Sequence, residues 1–323
     1  MTGIARWVAL LLASTGLVAP APAPAQAFPG GPITIVVPLA PGDAADVSAR
    51  ALGEEVARLL GTAVVTANRP GGGGTIGANS VVQAPRNGQT LLFAQNSALT
   101  IRPVLEPQAV PYDVQRDLLP LGLAARTPSV LAVRADAPYK SFAELIEFAR
   151  KRPGQVRIGH PGAGSAGDFC IQLINSLTGA GLVPVPFTGA APAVTALRGE
   201  HIEGVVLALG ALAAQIKAGA FQGLVTSAKV PDLAAVPTLR ELGFADELFG
   251  VWFAFLAPAG IPDPARRALT GAIETAVRTP AIAARLAPLN IFTAYATPDQ
   301  LAAEIRDETR RVGELARKAG LTR

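Results

Sequence analysis

The chain has 323 residues, half of them hydrophobic and 16% charged, with 28 Lys and Arg against 24 Asp and Glu for a formal charge of +4. Charges of both signs are scattered, and no Lys/Arg stripe interleaves with aromatics, which excludes a nucleic-acid surface. One cysteine excludes an intramolecular disulfide and a zinc site of Cys/His spacing, so a chain this long rests on its apolar core.

Arg6 precedes an apolar run from Trp7 to Val18 and small residues ending in Ala25-Gln26-Ala27. This is the pattern of a secretory signal peptide over residues 1–27, with Phe28 the first residue after cleavage. The run is shorter than the ~20 residues a membrane span takes, and no cysteine stands at the cleavage point to carry a lipid. The expected location is the periplasm, with no covalent membrane anchor. The chain from Phe28 onward suffices for two lobes of about 150 residues each.

From Gly31 onward, short β-branched runs alternate with longer amphipathic segments. A strand over 33–37, a helix over 43–60 and a strand over 63–66 set a βαβα order, which predicts parallel sheets flanked by helices. Further strands are predicted at 90–94, 130–133, 156–159, 183–185, 202–207, 223–226 and 251–256, and helices at 141–152, 165–177, 190–198, 262–279 and 298–318. Segments 119–126 and 248–253 are extended and hydrophobic, with no Gly/Ser-rich linker. The expected organisation is therefore a discontinuous first lobe, 28–125 with 248–323, and a second lobe, 126–247, inserted into it.

Enzyme readings fail mostly by subtraction. His160 and His201 are the only histidines, neither lies in an H-E-x-x-H pattern, and no metal site is expected. A nucleophile elbow needs G-x-S-x-G, and Ala163-Gly164-Ser165-Ala166-Gly167 lacks its first glycine. A Ser/His/Asp set drawn from distant parts keeps a secreted α/β hydrolase as the rival reading. Cys170, between Phe169 and Ile171, reads as an inert buried thiol. Gly72 to Gly77 and Gly162 to Gly167 both spell G-x-G-x-x-G, but no Asp or Glu occurs in the stretch ~20 residues further on where a ribose would need one. No cofactor is expected.

The glycines keep a more general meaning, because a strand turning sharply into a helix presents unpaired N–H groups and a positive dipole end. Such turns occur at Leu39-Ala40-Pro41-Gly42-Asp43-Ala44 with Asp46, at Asn96-Ser97, at Gly162-Ala163-Gly164-Ser165-Ala166 and at Thr188-Gly189. Each glycine by itself is equally explained by a tight turn. Four turns at strand ends in both halves, with Ala208 after a further strand, predict a ligand crevice between the lobes.

The landmarks also resemble a known family. Pro32 to Pro38 running into Pro41-Gly42 and Asp46, then Asn68-Arg69-Pro70-Gly71-Gly72-Gly73-Gly74-Thr75-Ile76-Gly77-Ala78, then Asn87-Gly88-Gln89-Thr90-Leu91-Leu92, are similar to the substrate-binding receptors of tripartite tricarboxylate transporters, the Bug receptors. Pro111-Tyr112-Asp113, Ala190-Ala191-Pro192-Ala193, Thr226-Ser227-Ala228, Val236-Pro237-Thr238 and Leu256 to Pro262 come next, in the family's order. The resemblance implies a type II periplasmic binding-protein fold, two Rossmann-like lobes closing on one small molecule. That ligand would be a carboxylate or amide-containing compound, held largely by backbone N–H groups and handed to membrane permease subunits; a receptor serving a membrane sensor is the variant on this theme. The family's first loop usually reads Pro-Gly-Gly-Gly-Thr-Asp, and here it is Pro41-Gly42-Asp43-Ala44-Ala45-Asp46; Asp168 stands where a histidine is common. Asp43 has two readings, a solvent-facing helix-start carboxylate or a cleft group that meets a ligand amine or hydroxyl.

Overall fold

Ile33, Ile35 and Val37 are fully buried on one side of the first strand and Val36 on the other, so this strand is covered on both faces. The computed structural model describes residues 28–321, and the expected signal peptide lies outside them. Along the chain run β1 (Ile33–Val37), α1 (Ala44–Leu60), β2 (Val64–Asn68), α2 (Thr75–Val82), β3 (Thr90–Gln95), α3 (Arg102–Leu105), α4 (Val114–Asp117) and β4 (Leu118–Thr127). Then come β5 (Ser129–Arg134), α5 (Phe142–Lys151), β6 (Arg157–His160), α6 (Ala166–Thr178), β7 (Val183–Pro186), α7 (Ala190–Arg198), β8 (Gly204–Ala208), α8 (Ala213–Lys217) and β9 (Phe221–Thr226). The last elements are β10 (Val251–Pro258), α9 (Asp263–Arg278), α10 (Pro280–Leu286), β11 (Phe292–Ala296) and α11 (Pro298–Lys318).

Two sheets form, one in the order β11-β4-β10-β3-β1-β2 and one in the order β7-β6-β8-β5-β9. In the first, the face bearing Ile33, Ile35 and Leu91 packs on α1 and α9, and the face bearing Val36, Leu92 and Ala254 packs on α2 and α11. In the second, Leu131, Val133 and Ile158 pack on α5 and α6, while Val130, Ala132 and Leu207 pack on α7. The first core runs on through Ala124, Ala125, Leu248 and Phe249 into the second sheet, so the apolar interior is continuous through the crossing segments.

The parallel sheets predicted from the βαβα order are in fact mixed. β1 is parallel to β2 and β3, and β6 is parallel to β7 and β8. However, β10 is antiparallel to β3 and β4, β11 to β4, and β5 to β8 and β9. The crossing dictates this. The chain leaves the first sheet along β4, with only Pro128 before β5, and a strand returning between β3 and β4 must run against both. β11 lacked a readable pattern because all five of its residues are half-buried on a sheet edge.

Both G-x-G-x-x-G runs find their explanation in packing. A Cβ on Gly77 would sit 2.8 Å from the Arg69 carbonyl oxygen, and one on Gly167 would sit 2.4 Å from that of Val206. The last glycine of each run lets a helix start press onto neighbouring backbone. Gly167→Ala should therefore destabilise the chain by about 1–3 kcal/mol through overpacking, measured by urea unfolding. A substitution there that leaves the midpoint unmoved would show that α6 is not held against β8.

Candidate functional site

The strand directions aim one set of turns at another. β1 and β3 run opposite to β10, which arrives from the second sheet, so their carboxyl ends point toward that sheet. β6, β7 and β8 run opposite to β5, which departs from the crossing, so their carboxyl ends point back. The predicted turns therefore lie at strand ends of the two sheets that face each other, and Arg102 reaches from one side to Ala163 on the other.

Two of them are built alike. After β1, Gly42 lies at φ 83° and Asp43 at φ −66°, ψ 158°; after β6, Gly164 lies at φ 69° and Ser165 at φ −74°, ψ 163°. The left-handed conformation is one that glycine adopts without strain. Gly42 N donates to Asp46 Oδ2 at 2.9 Å, and Gly164 N donates to Asp168 Oδ2 at 2.9 Å. Asp43 caps α1, accepting from Ala45 N at 3.1 Å, and Ser165 caps α6, accepting from Asp168 N at 3.2 Å. Gly42-Asp43-Ala44-Ala45-Asp46 and Gly164-Ser165-Ala166-Gly167-Asp168 are thus one device used twice.

Asp46 is the brace of its turn. Its carboxylate also takes Arg50 Nε at 3.1 Å and Asn68 Nδ2 at 2.9 Å and pairs with Arg50 Nη2 at 2.9 Å, while Asn68 Nδ2 also donates to Leu39 O at 3.0 Å. Burial opposes its charge, but the hydrogen bonds from Arg50, Gly42 and Asn68 outweigh burial and hold it below the ordinary carboxylate range. These bonds tie the Asp46 carboxylate to Gly42, Arg50 and Asn68, and through Asn68 to Leu39. At Asp43 burial dominates and raises the carboxyl above its ordinary value, with Ala45 N opposing it and the Asp46 charge adding to it.

The third turn is buried. Asn96 is 0% and Ser97 1% exposed, and Asn96 Nδ2 donates to Gly250 O and to Glu308 Oε1, each at 3.0 Å. Trp252 Nε1 donates to Glu308 Oε2 at 2.8 Å. Thr100 Oγ lies 2.5 Å from Glu308 Oε1 and 2.9 Å from Asn96 O, but its single proton serves one of them. A protonated Glu308 would satisfy both contacts, and burial does push this carboxyl up, against the hydrogen bonds from Thr100, Trp252 and Asn96. Glu308 is a positioning residue that sequence reasoning missed, because α11 meets the end of β3 only in the folded chain.

Arg102 was missed for the same reason. Its Nη1 donates to Ala163 O of the opposite turn at 3.0 Å, and its Nη2 to Glu106 Oε2 at 2.8 Å. A Cβ on Gly73 would sit 2.7 Å from Arg102 Nη1, and one on Gly164 3.1 Å from Arg102 Cγ, so glycines from both lobes make room for this side chain. Beyond Ala208, Gly210 touches the backbone of Leu289, where a Cβ would come within 2.5 Å of its oxygen. Thr188 is exposed and Gly189 half-buried at the start of α7, which has no side-chain cap. Cys170 is fully buried and its thiol is pushed up to about 12 by burial. His160 Nδ1 lies 2.9 Å from Gly162 O. Among the described residues no cluster of three or more metal-ligating side chains occurs, and no helix is long and apolar enough to cross a membrane.

The model of the tripartite tricarboxylate transporter family receptor matches residues 48–321. The chain belongs to this receptor family. BugT of Bordetella pertussis is 32% identical over 323 residues, 99% of this chain and 98% of that protein. The solved periplasmic binding protein BugD is 28% identical, with a TM-score of 0.82 over 91% of this receptor and 99% of BugD. MatC from Rhodopseudomonas palustris, solved with bound malate, is 28% identical, with a TM-score of 0.81 over 89% of this receptor and 99% of MatC. The expected family and the two-lobed periplasmic binding-protein architecture both hold for this receptor.

Two consequences of the receptor's turns are measurable. Asp46→Ala should lower stability by about 1.5–3 kcal/mol, the range for hydrogen bonds to a charged group, read from chemical denaturation. A carboxyl raised in the folded state contributes most below its unfolded pKa, and that contribution is lost as pH rises through the folded value. Unfolding of the wild type and of Glu308→Gln at pH 5 and pH 8 should therefore show the variant gaining on the wild type at the higher pH. A pH-independent difference would mean that Glu308 titrates as an ordinary carboxylate.

Proposed function

We propose that this receptor is exported by the signal peptide over 1–27 and works in the periplasm. There it traps a small organic acid or a related small molecule between a lobe of 28–125 with 248–323 and a lobe of 126–247. It then passes the solute unchanged to the membrane permease of a tripartite tricarboxylate-type transporter. The observation that carries the reading is the pair of helix starts in the second lobe, α6 with a neutral serine cap and α7 with a glycine cap, turned toward the first lobe. Backbone N–H groups at such starts accept an anion without a dedicated cation. Malate in the related MatC is in keeping with an acid as solute.

The hydrolase alternative finds little support in the geometry. Ser165 Oγ is engaged as the cap of α6, and His160 Nδ1 faces Gly162 O while its Nε2 lies 3.9 Å from Asp168. A nucleophile and base would need to be within hydrogen-bond reach of each other.

A thermal-shift screen of small acids, amides and amines tests the reading, since a solute at 100 times its Kd stabilises by about 2.7 kcal/mol. The best solute should be recovered unchanged after prolonged incubation, and the radius of gyration in solution scattering should fall as the lobes close on it. Product formed in proportion to protein, and lost on Ser165→Ala or His160→Ala, would replace the receptor reading with an enzymatic one. Scattering curves that superimpose with and without saturating solute would remove the closure.

A further inference from the structure

Because α1 and α6 begin with the same device, the difference between them is informative. The glycines, the cap dihedrals and the aspartate braces correspond, so the negative charge of Asp46 on one side is matched by that of Asp168 on the other. The caps do not correspond. Ser165 is neutral, and its oxygen takes Asp168 N, leaving the amides of Ala166 and Gly167 at the helix start. Asp43 brings a carboxylate to the same place on the other lobe and accepts a hydrogen bond from Ala45 N, in contrast to the crowded Asp46.

Neighbouring groups extend the contrast. Arg102 runs along Gly164 and bonds to Ala163 O, placing a guanidinium at the α6 turn, with Glu106 on its far nitrogen. On the first lobe, β3 lies next to β1, and Asn96 at its end is fully buried with Oδ1 lacking any hydrogen-bond partner. Its amide nitrogen is fixed by Gly250 O and Glu308 Oε1, so the oxygen is turned away from both and left as an acceptor. Buried polar atoms are normally satisfied, and Asn96 Oδ1 shares its lack of a partner with the donor Arg102 Nε nearby in the sequence. The start of α6 thus offers amide donors, joined by the Arg102 guanidinium that reaches over from the first lobe, whereas the start of α1 carries the acceptor carboxylate of Asp43.

We propose that the cleft is polarised and orients its solute: a carboxylate seats at the start of α6 beside Arg102, and a hydroxyl or ammonium group of the same solute seats against Asp43. The solute class is then a substituted small acid, a hydroxy acid or an amino acid, and Asp43 is the residue that selects it over the plain acid. This rests on the receptor reading and adds an orientation to it. A plain diacid would bring its second carboxylate against Asp43, where like charges in a partly closed cleft repel.

The test uses the full mature chain and matched sets of acids at three, four and five carbons that differ only in hydrogen, hydroxyl or ammonium at the second carbon: propionate, lactate and alanine; succinate, malate and aspartate; glutarate, 2-hydroxyglutarate and glutamate. Titration calorimetry should find at least one substituted acid bound tenfold or more tighter than its plain counterpart. Asp43→Gly should erase that preference, weakening the substituted acid and strengthening the plain one. Asp43→Asn keeps a helix-capping side chain and should reduce the preference while leaving the unfolding midpoint close to the wild type. Ser165→Asp, which puts the same carboxylate on the other turn with a residue equally suited to capping, should abolish binding of every acid in a chain that still unfolds cooperatively.

The two levels fail differently. If no acid, amide or amine in the screen stabilises the wild type, the receptor reading falls and the orientation with it. If acids bind but Asp43→Gly changes plain and substituted acids by the same factor, or Ser165→Asp binds them unchanged, the receptor stands and the polarised cleft is overturned.

Discussion

A glycine amide in the left-handed region, donating to a carboxylate four residues further on, closes both principal turns: Gly42 to Asp46 and Gly164 to Asp168. The bond is charge-assisted and largely sheltered, and it draws the loop back over the first turn of its helix. The backbone of these two turns is placed by it. The cap residue is presented at fixed dihedrals, and the carbonyl of Ala163 stands where Arg102 reaches it. Asp46 is the more heavily tied of the two, through Arg50 and Asn68, which couples the end of β2 to the turn after β1.

The two matching turns are built mainly from main chain and small residues, with few side chains among them. Glycines at 73 and 164 clear space for one guanidinium, and a serine and an aspartate occupy matching caps. Behind the β3 turn, Glu308 gathers Asn96, Thr100 and Trp252 and thereby links the site to β10, one of the two segments that join the lobes. The other junction is tighter still, with a single proline between β4 and β5. The β3 turn is therefore joined to both crossing segments through short, well-packed paths.

Much of this was legible in the sequence because it is local. The β-branched run of β1, the amphipathic helices and the turn glycines all announce themselves within a few residues, and the predicted spans of β1, α7 and α11 coincide with the observed ones. What depends on distant pairing was not legible. The antiparallel insertion of β10 between β3 and β4 cannot be read from its own hydrophobic run, and half-buried β11 has no run to read. Arg102 and Glu308 carry no motif, since their meaning comes from partners 61 and 212 residues away. The bonds of Asp46 to Gly42, Arg50 and Asn68 were not legible either, because spacing alone does not show where a carboxylate's hydrogen bonds go.

The placement of β10 also governs the order in which the chain can assemble. The second sheet draws all its strands from Ser129 to Thr226, one uninterrupted stretch, so it can form as soon as that stretch is available. The first sheet cannot: β3 and β4 are separated by a strand that begins at Val251, and its outer edge waits for Phe292–Ala296. A chain emerging from its N-terminal end therefore holds β1 to β3 without their central partner until the whole second sheet has followed, and non-local pairing of this kind is slow. The inserted lobe is the natural first folder, and a chain cut short at its C-terminus would lose the lobe with which it began.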